Sequence, residues 1–284
     1  MKASGKGSGT MSGGRVGIED GAGSGHALVT GASGGIGAEF ALQLAASGHA
    51  LILAGRNRGR LESTLGALRG PRAADSLVIP ADLSERGAAS RLHAECAARG
   101  LVVDTLVNNA GSGVFGAAVD SDPEAVEAML RLNVQALASL SALFGRDMKA
   151  RGRGRILNVG SFAGLQATPY FAAYAASKAF VLDYSLALRA ELAGSGVNVS
   201  CLLPGYVRTA FDANAGIGSP AYLKFSEANS LDAATVARIG LRALERGKSW
   251  TIAGARNRFA AAIFSLLPRS FPPRIMRAAL ERLI

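Results

Sequence analysis

Tyr174 and Lys178 stand four residues apart in YAASK, within a run of helical period, so one turn of helix brings a phenol and an ammonium to the same face. A phenol of ordinary pKa, about 10, is a poor base at neutral pH, but a neighbouring ammonium favours the phenolate and draws it toward useful acid/base range. Alone, such a pair is a common accident of helical sequence. Thirteen residues before the tyrosine, Ser161 ends the apolar run ILNVGS, where a hydroxyl can donate to an oxygen on which charge develops. Asn133 sits mid-helix in RLNVQA, where its poor helix propensity asks for a reason; capping or surface exposure is the bland alternative.

A second group of residues suits an anion. The run TGASGGIG, Thr30 to Gly37, joins an apolar strand to an Ala-rich amphipathic helix. A pyrophosphate placed there meets the unpaired N–H groups and positive dipole end of the helix, while glycines permit the tight turn and close approach. Gly31, Gly35, Ile36 and Gly37 are the candidate contacts. The same run also reads as Gly31, Gly34 and Gly37 in a different spacing, and the sequence leaves both open. About 20 residues on, where an acid would serve the ribose hydroxyls of NAD, the second strand ends in Ala54-Gly55-Arg56-Asn57-Arg58 with no carboxylate. An arginine there suits a 2′-phosphate through charge-assisted hydrogen bonds, so NADP is the expected cofactor, with Arg56 as main contact and Ser33 as helper.

These residues need a frame. From His26 onward, short β-branched runs alternate with longer Ala/Leu/Arg segments of helical period, which predicts a parallel sheet covered on both faces. The expected class is α/β, a Rossmann-like doubly wound parallel sheet of about seven strands in a single domain. Strands are predicted at Ala27–Thr30, Ala50–Ala54, Ser76–Pro80, Thr105–Asn108, Arg155–Val159, Asn198–Leu203 and Trp250–Ile252. Helices are predicted at Ile36–Ser47, Arg58–Leu68, Glu85–Arg99, Pro123–Arg151, Phe171–Ala193 and Ala233–Arg246. Gly, Asn and Pro scattered through Tyr206–Ser230 predict a mobile lid without regular structure. Residues 1–25, rich in Gly and Ser, are expected to be a disordered tail; residues 26–254 form the nucleotide-binding catalytic domain and 255–284 a basic amphipathic extension.

Taken together, these motifs resemble the short-chain dehydrogenases/reductases of the shorter, one-domain type, over about His26 to Ile252. The resemblance rests on the TGxxxGxG loop (Thr30, Gly31, Gly35, Gly37), Asp82-Leu83, the NNAG at Asn108–Gly111, the set Asn133, Ser161, Tyr174 and Lys178, and PGYVRT at Pro204–Thr209. It implies that Asp82 and Leu83 meet the adenine, that Asn109, Ala110 and Gly111 line the ribose side, and that Pro204, Gly205, Val207 and Thr209 border the nicotinamide. It also implies that Lys178 binds the nicotinamide ribose while lowering the Tyr174 pKa, and that Asn133 holds a water of the proton relay. The activity implied is hydride transfer between NADP and a ketone or aldehyde, with Tyr174 as general acid/base, in a homodimer or homotetramer. A cofactor-binding sensor or scaffold that had lost its chemistry is the alternative; loss of Tyr174, Lys178 or Ser161 would mark it, and all three are present. An epimerase or dehydratase would be marked by a larger C-terminal substrate domain, which these 284 residues do not show.

The remaining composition bounds partners. Val114, Phe115, Phe162, Tyr170, Phe171 and Phe211 fall around the expected reaction centre with little charge but Arg208, which suggests a small apolar carbonyl or alcohol substrate. The net charge is +10, and the six arginines between Arg256 and Ile284, against the single Glu281, hold half of it. No RNP-like aromatic motif, zinc spacing or helix-turn-helix accompanies that charge, so nucleic acid is not an expected partner. Phe259–Leu267 stops at Pro268, at about half the length a bilayer-spanning helix needs. Two short amphipathic helices broken at Pro268 and Pro272-Pro273 could rest on an anionic membrane, cover the substrate mouth, or pack on the domain or a partner subunit. Cys96 and Cys201 offer neither a disulfide framework nor a metal-ligand cluster, and read as packing residues. No metal site is expected. No apolar segment of a secretory signal follows the first residues, and a cytoplasmic location is expected, with peripheral membrane contact through the extension left open.

Overall fold

The computed structural model describes residues 25–268 and 271–283. The expected disordered tail lies, but for Gly25, outside the described residues. Seven strands form one parallel sheet in the order β3-β2-β1-β4-β5-β6-β7. They are β1 His26–Thr30, β2 Ala50–Gly55, β3 Leu77–Pro80, β4 Val103–Asn108, β5 Gly154–Val159, β6 Val197–Leu203 and β7 Trp250–Ile252. All seven lie where the sequence predicts them, and the chain is a single-domain α/β fold of the doubly wound kind.

Strand alternation divides the core into two layers. Ala27, Val29, Leu51, Leu53, Val107 and Leu202 face one side, where α1 (Gly35–Ala46), α2 (Arg58–Ala67) and α9 (Ala233–Glu245) cover them. Leu28, Ile52, Leu106, Ile156 and Val199 face the other, under α3 (Ala88–Ala98), α5 (Leu137–Arg151) and α6 (Ala172–Glu191). Phe40 on α1 is completely buried, and truncating such a side chain to alanine costs about 3–5 kcal/mol. Both cysteines are free and buried, and burial pushes each thiol up to about 11.

Three elements differ from the sequence reading. The helix expected from Glu85 starts at Ala88, because Gly87 (φ 73°) takes the left-handed conformation just before it. The run expected as one helix over Pro123–Arg151 is α4 (Pro123–Leu130), a π-helical turn at Arg131–Ala136, and then α5. By length and composition this run could cross a membrane, but its inner face packs on α3, β4 and β5. The supposed lid contains two helices, α7 (Phe211–Asn214) and α8 (Pro220–Asn229). Ser219 caps α8, accepting from the Tyr222 N–H, and Pro220 takes the first helical position where a missing N–H costs nothing. Ser226 Oγ bonds Asp212 Oδ2 at 2.6 Å and ties α8 to α7. Past β7, two short helices follow, α10 (Ala255–Ser265) and α11 (Pro272–Leu280), with Pro268 beyond the end of the first and Pro272 at the start of the second.

Candidate active site

The sheet order reverses between β1 and β4, which opens a crevice at their carboxyl ends. Thr30 anchors it: its hydroxyl donates to the Val107 carbonyl and accepts from the Asn109 and Ala110 N–H groups, both at 3.0 Å. The Asn109 amide donates to the Thr30 carbonyl (2.9 Å), so this side chain shapes the glycine turn rather than standing free for a ribose. A Cβ on Gly37 would lie 2.1 Å from the Gly31 carbonyl oxygen, and one on Gly35, whose φ is 55°, would press on Thr209 at 3.1 Å. A Cβ on Gly34 would meet nothing within 4 Å. The constrained glycines are therefore Gly31, Gly35 and Gly37, which decides between the two spacings. At the α1 N-terminus no side chain caps the helix and no acid occupies the first turn, so the N–H groups near Ile36 are available to an anion. These features fit a dinucleotide pyrophosphate.

At the adenosine end, the end of β2 presents Arg56 in the open, with no carboxylate near it in sequence. Ser33 and Arg60 line one cavity of about 380 Å³ between α1 and α2. Asn57 caps α2 through the Arg60 N–H (2.9 Å), and this turn brings Arg60 to the same side as Ser33. Asp82 commits one carboxylate oxygen to Ser84, through both its N–H (2.9 Å) and its hydroxyl (2.5 Å), and Leu83 is buried beside it. Opposite the cradle runs Pro204–Thr209. Pro204 is buried, Gly205 has no room for a Cβ because Asn257 of α10 would lie 2.3 Å away, and Val207 pairs with Leu231.

The four residues expected to do chemistry converge. Tyr174 and Lys178 sit on one face of α6, both buried, with the Lys178 Nζ 5.9 Å from the centre of the tyrosine ring. Burial pushes the Tyr174 phenol up to about 12, opposed by the Ser161 hydroxyl at the end of β5 and aided by the Asp212 charge. Burial likewise pushes the Lys178 ammonium down to about 8, although it donates to the Val159 carbonyl at 3.0 Å. Lys178 is not among the groups that shift the phenol, whose position is set by burial, Ser161 and Asp212. Asn133 lies in the π turn, fully buried, and both its amide hydrogens are taken, by the Ser112 carbonyl (2.9 Å) and the Ser177 hydroxyl (3.1 Å). Its Oδ1 accepts from the Ser112 N–H (3.0 Å). The side chain pins the loop after β4, and the π turn, not a solvent-facing cap, is the reason for an asparagine mid-helix. A Cβ on Gly111 would lie 3.2 Å from both Asn133 Oδ1 and Lys178 Nζ, so this glycine keeps the floor open.

The wall beside Tyr174 is apolar. The Phe211 and Phe171 ring centres lie 5.4 and 5.7 Å from that of Tyr174, and Met129, Ile217, Tyr222 and Leu280 bury themselves in the same cluster. Val114, Phe115 and Tyr170 border it as expected, whereas Phe162 belongs to another cluster and faces Phe264 of α10 at 6.4 Å. Ser161 caps a short 3-10 turn that carries the next side chain away from the crevice. Arg208 is exposed. The C-terminal segment closes this wall: Tyr170, strained at φ 63°, donates to Glu281 (3.0 Å), and the Ser219 hydroxyl bonds the Leu283 carbonyl.

A sequence model described as short chain dehydrogenase matches residues 25–218, well over half of the chain. The chain belongs to the short-chain dehydrogenase family. Among curated relatives it is 32% identical over 263 residues to a very-long-chain 3-oxoacyl-CoA reductase of Anas platyrhynchos, covering 90% of this chain and 80% of that one. It is 40% identical over 185 residues to a galactitol 2-dehydrogenase (L-tagatose-forming) of Cereibacter sphaeroides, covering 64% and 71%. A short-chain dehydrogenase from Sphingobium yanoikuyae, solved in complex with NADPH, superposes with a TM-score of 0.74 at 30% identity, over 85% of this chain and 93% of that one. A 7beta-hydroxysteroid dehydrogenase superposes with a TM-score of 0.79 at 26% identity, over 89% and 96%. This short-chain dehydrogenase is accordingly an oxidoreductase of the NAD(P)-using kind. Sequence reasoning missed Arg60, Met129, Ile217, Tyr222 and Leu280. Arg60 carried a legible signal, an arginine one helical turn past Arg56, but the others come from separate elements with no shared spacing.

Proposed function

We propose that this dehydrogenase uses NADP to interconvert an apolar ketone or aldehyde and its alcohol. The observation that carries the reading is the buried phenol of Tyr174, one helical turn from Lys178 and walled by Phe171, Phe211 and Tyr222. Bound nicotinamide supplies or accepts the hydride. In reduction, Ser161 polarises the carbonyl oxygen by donating to it, and Tyr174, held protonated by burial, gives that oxygen its proton. The Lys178 charge supports the phenolate left behind; alcohol oxidation is the reverse. Asn133 acts by positioning, holding the loop at Ser112 against α6. Gly31, Gly35, Ile36, Gly37 and Gly111 take the dinucleotide backbone, with Asn109 and Ala110 shaping the turn beneath it. Asp82 and Leu83 border the adenine, while Pro204, Gly205, Val207 and Thr209 border the nicotinamide. Arg56, joined by Ser33 and Arg60, takes the 2′-phosphate; the neighbour solved with NADPH supports NADP over NAD.

The apolar wall and the relatives acting on 3-oxoacyl-CoA and hydroxysteroids support a bulky apolar substrate over a polyol. Exposed Phe180, stacked on Tyr184 of α6 at 5.5 Å, supports an oligomer joined through that helix. The test is NADPH oxidation with aryl ketones, steroid ketones, 3-oxoacyl thioesters and ketoses, beside the Tyr174→Phe variant. Tyr174→Phe should lose roughly 100–10,000-fold in kcat while NADPH affinity stays within about twofold. A variant that turns over like the wild type would remove Tyr174 from this role.

A further inference from the structure

Eleven large hydrophobic side chains are exposed among the described residues, and five of them lie between Phe259 and Ile275. Phe259, Ile263 and Leu266 are spaced at i, i+4 and i+7, one stripe along α10, and Phe259 and Leu266 are 71% and 84% exposed. Ala261 and Phe264, on the other side of the same helix, pack against the body. Phe271 and Ile275 continue the exposed apolar set onto α11, where Pro272 and Leu280 are the buried residues. Arg256 and Arg258 flank the α10 stripe at about 60° and 100° of helical rotation, one on each side, and both are exposed, as is Arg274 on α11. The one carboxylate in this stretch, Glu281, is engaged by Arg277 (2.7 Å) and Tyr170 (3.0 Å). Between α10 and the body runs a groove of about 840 Å³ whose charged lining is Lys248 and Arg258, with half-exposed Trp250 among its walls.

We infer that the outer face of α10 and α11 docks the protein on the surface of an anionic phospholipid bilayer. Three features select that occupant. Large apolar side chains protruding singly from a short helix bury themselves at the boundary between headgroups and acyl chains. A basic rim with no free acid meets acidic headgroups, whereas a second copy would bring like charges together. The body side of α10 is already taken by Ala261 and Phe264, which leaves the outer stripe to meet the bilayer. The inner side of the same segment closes the apolar wall of the active site through Leu280, so docking would set that wall against the lipid phase. The inference does not depend on the proposed chemistry, since docking needs no turnover.

The test is co-sedimentation of the intact protein with vesicles of phosphatidylcholine alone or with added phosphatidylglycerol. Binding should be at least roughly tenfold tighter to the acidic vesicles and should weaken with salt. Phe259→Ser combined with Leu266→Ser should lose roughly tenfold or more, and each of Arg256→Gln and Arg274→Gln about fivefold. These residues stand clear of the catalytic crevice, so melting temperature and NADPH turnover should not change. Phe259→Trp adds an independent reading: the fluorescence of the introduced indole should shift to the blue with acidic vesicles. Equal binding to both vesicle types, binding unaffected by the substitutions, or an unshifted signal from the Phe259→Trp variant would overturn the inference. So would concentration-dependent self-association, without vesicles, that the Phe259/Leu266 double variant abolishes, because the face would then belong to a second copy.

Discussion

Lys178 is a buried charge whose cost can be read against pH. Burial lowers its pKa from 10.5 to about 8, so between those values the unfolded chain binds the proton more readily than the folded one. Stability must therefore rise with pH across that window: the gain is complete above 10.5 and is lost as pH falls through 8. At about 1.36 kcal/mol per pH unit, the full excursion is worth about 3 kcal/mol. Lys178→Met keeps the length of the side chain and removes the titration. The variant also leaves the Val159 carbonyl without its 3.0 Å donor, a fixed cost of about 1–3 kcal/mol that does not vary with pH. Relative to the wild type, the variant should thus be about 0–2 kcal/mol more stable near pH 7.5 and about 1–3 kcal/mol less stable near pH 10.5, a swing of about 3 kcal/mol, while hydride transfer is lost throughout. Urea unfolding at a series of pH values, on protein stripped of nucleotide, measures the difference directly. A difference that stays constant with pH, or that moves in the variant's favour as pH rises, would show that Lys178 carries no desolvation penalty and that its charge is solvated by something other than the protein.

Other substitutions probe the cradle and its supports. Arg56→Ala with Arg60→Ala should raise the KM for NADPH about 10–100-fold and leave that for NADH within about twofold, as measured by parallel initial rates. Gly37→Ala should cost about 1–3 kcal/mol in stability and weaken nucleotide binding, since its Cβ would lie 2.1 Å from the Gly31 oxygen, whereas Gly34→Ala, with open space around it, should unfold within about 0.5 kcal/mol of the wild type. Asn133→Ala should destabilise by about 2–4 kcal/mol, because it strands the Ser112 N–H, the Ser112 carbonyl and the Ser177 hydroxyl in the interior; chemical denaturation would register it.

The four candidate catalytic residues and the glycine turn were legible because each lies at a fixed offset from a strand end or along one helix face, and such offsets survive folding unchanged. Tyr174 and Lys178 needed only the pitch of α6, and Ser161 only the end of β5. The roles of Asn109 and Asn133 were harder to read. Both look like free polar groups in the sequence, yet their amides are spent on Thr30 and on Ser112 and Ser177, residues distant along the chain. The Tyr206–Ser230 segment misled because its glycines outweighed a cap-and-proline start at Ser219-Pro220 that was there to be read. Phe162 misled differently: adjacency to Ser161 says nothing about direction when a turn intervenes.

By itself the sequence determined the parallel sheet, the positions of its strands, the glycine turn and the grouping of the candidate residues for proton transfer. Hydrophobic period and glycine placement are local properties, and the backbone answers to them locally. Only the tertiary structure decided the protonation of those residues and the shape of the space they face. Burial moved the Tyr174 phenol up and the Lys178 ammonium down, and burial is a sum over neighbours from every part of the chain. The apolar wall is likewise assembled from Met129, Phe171, Ile217, Tyr222 and Leu280, side chains whose proximity exists only once α4, α6, α8 and α11 have packed together.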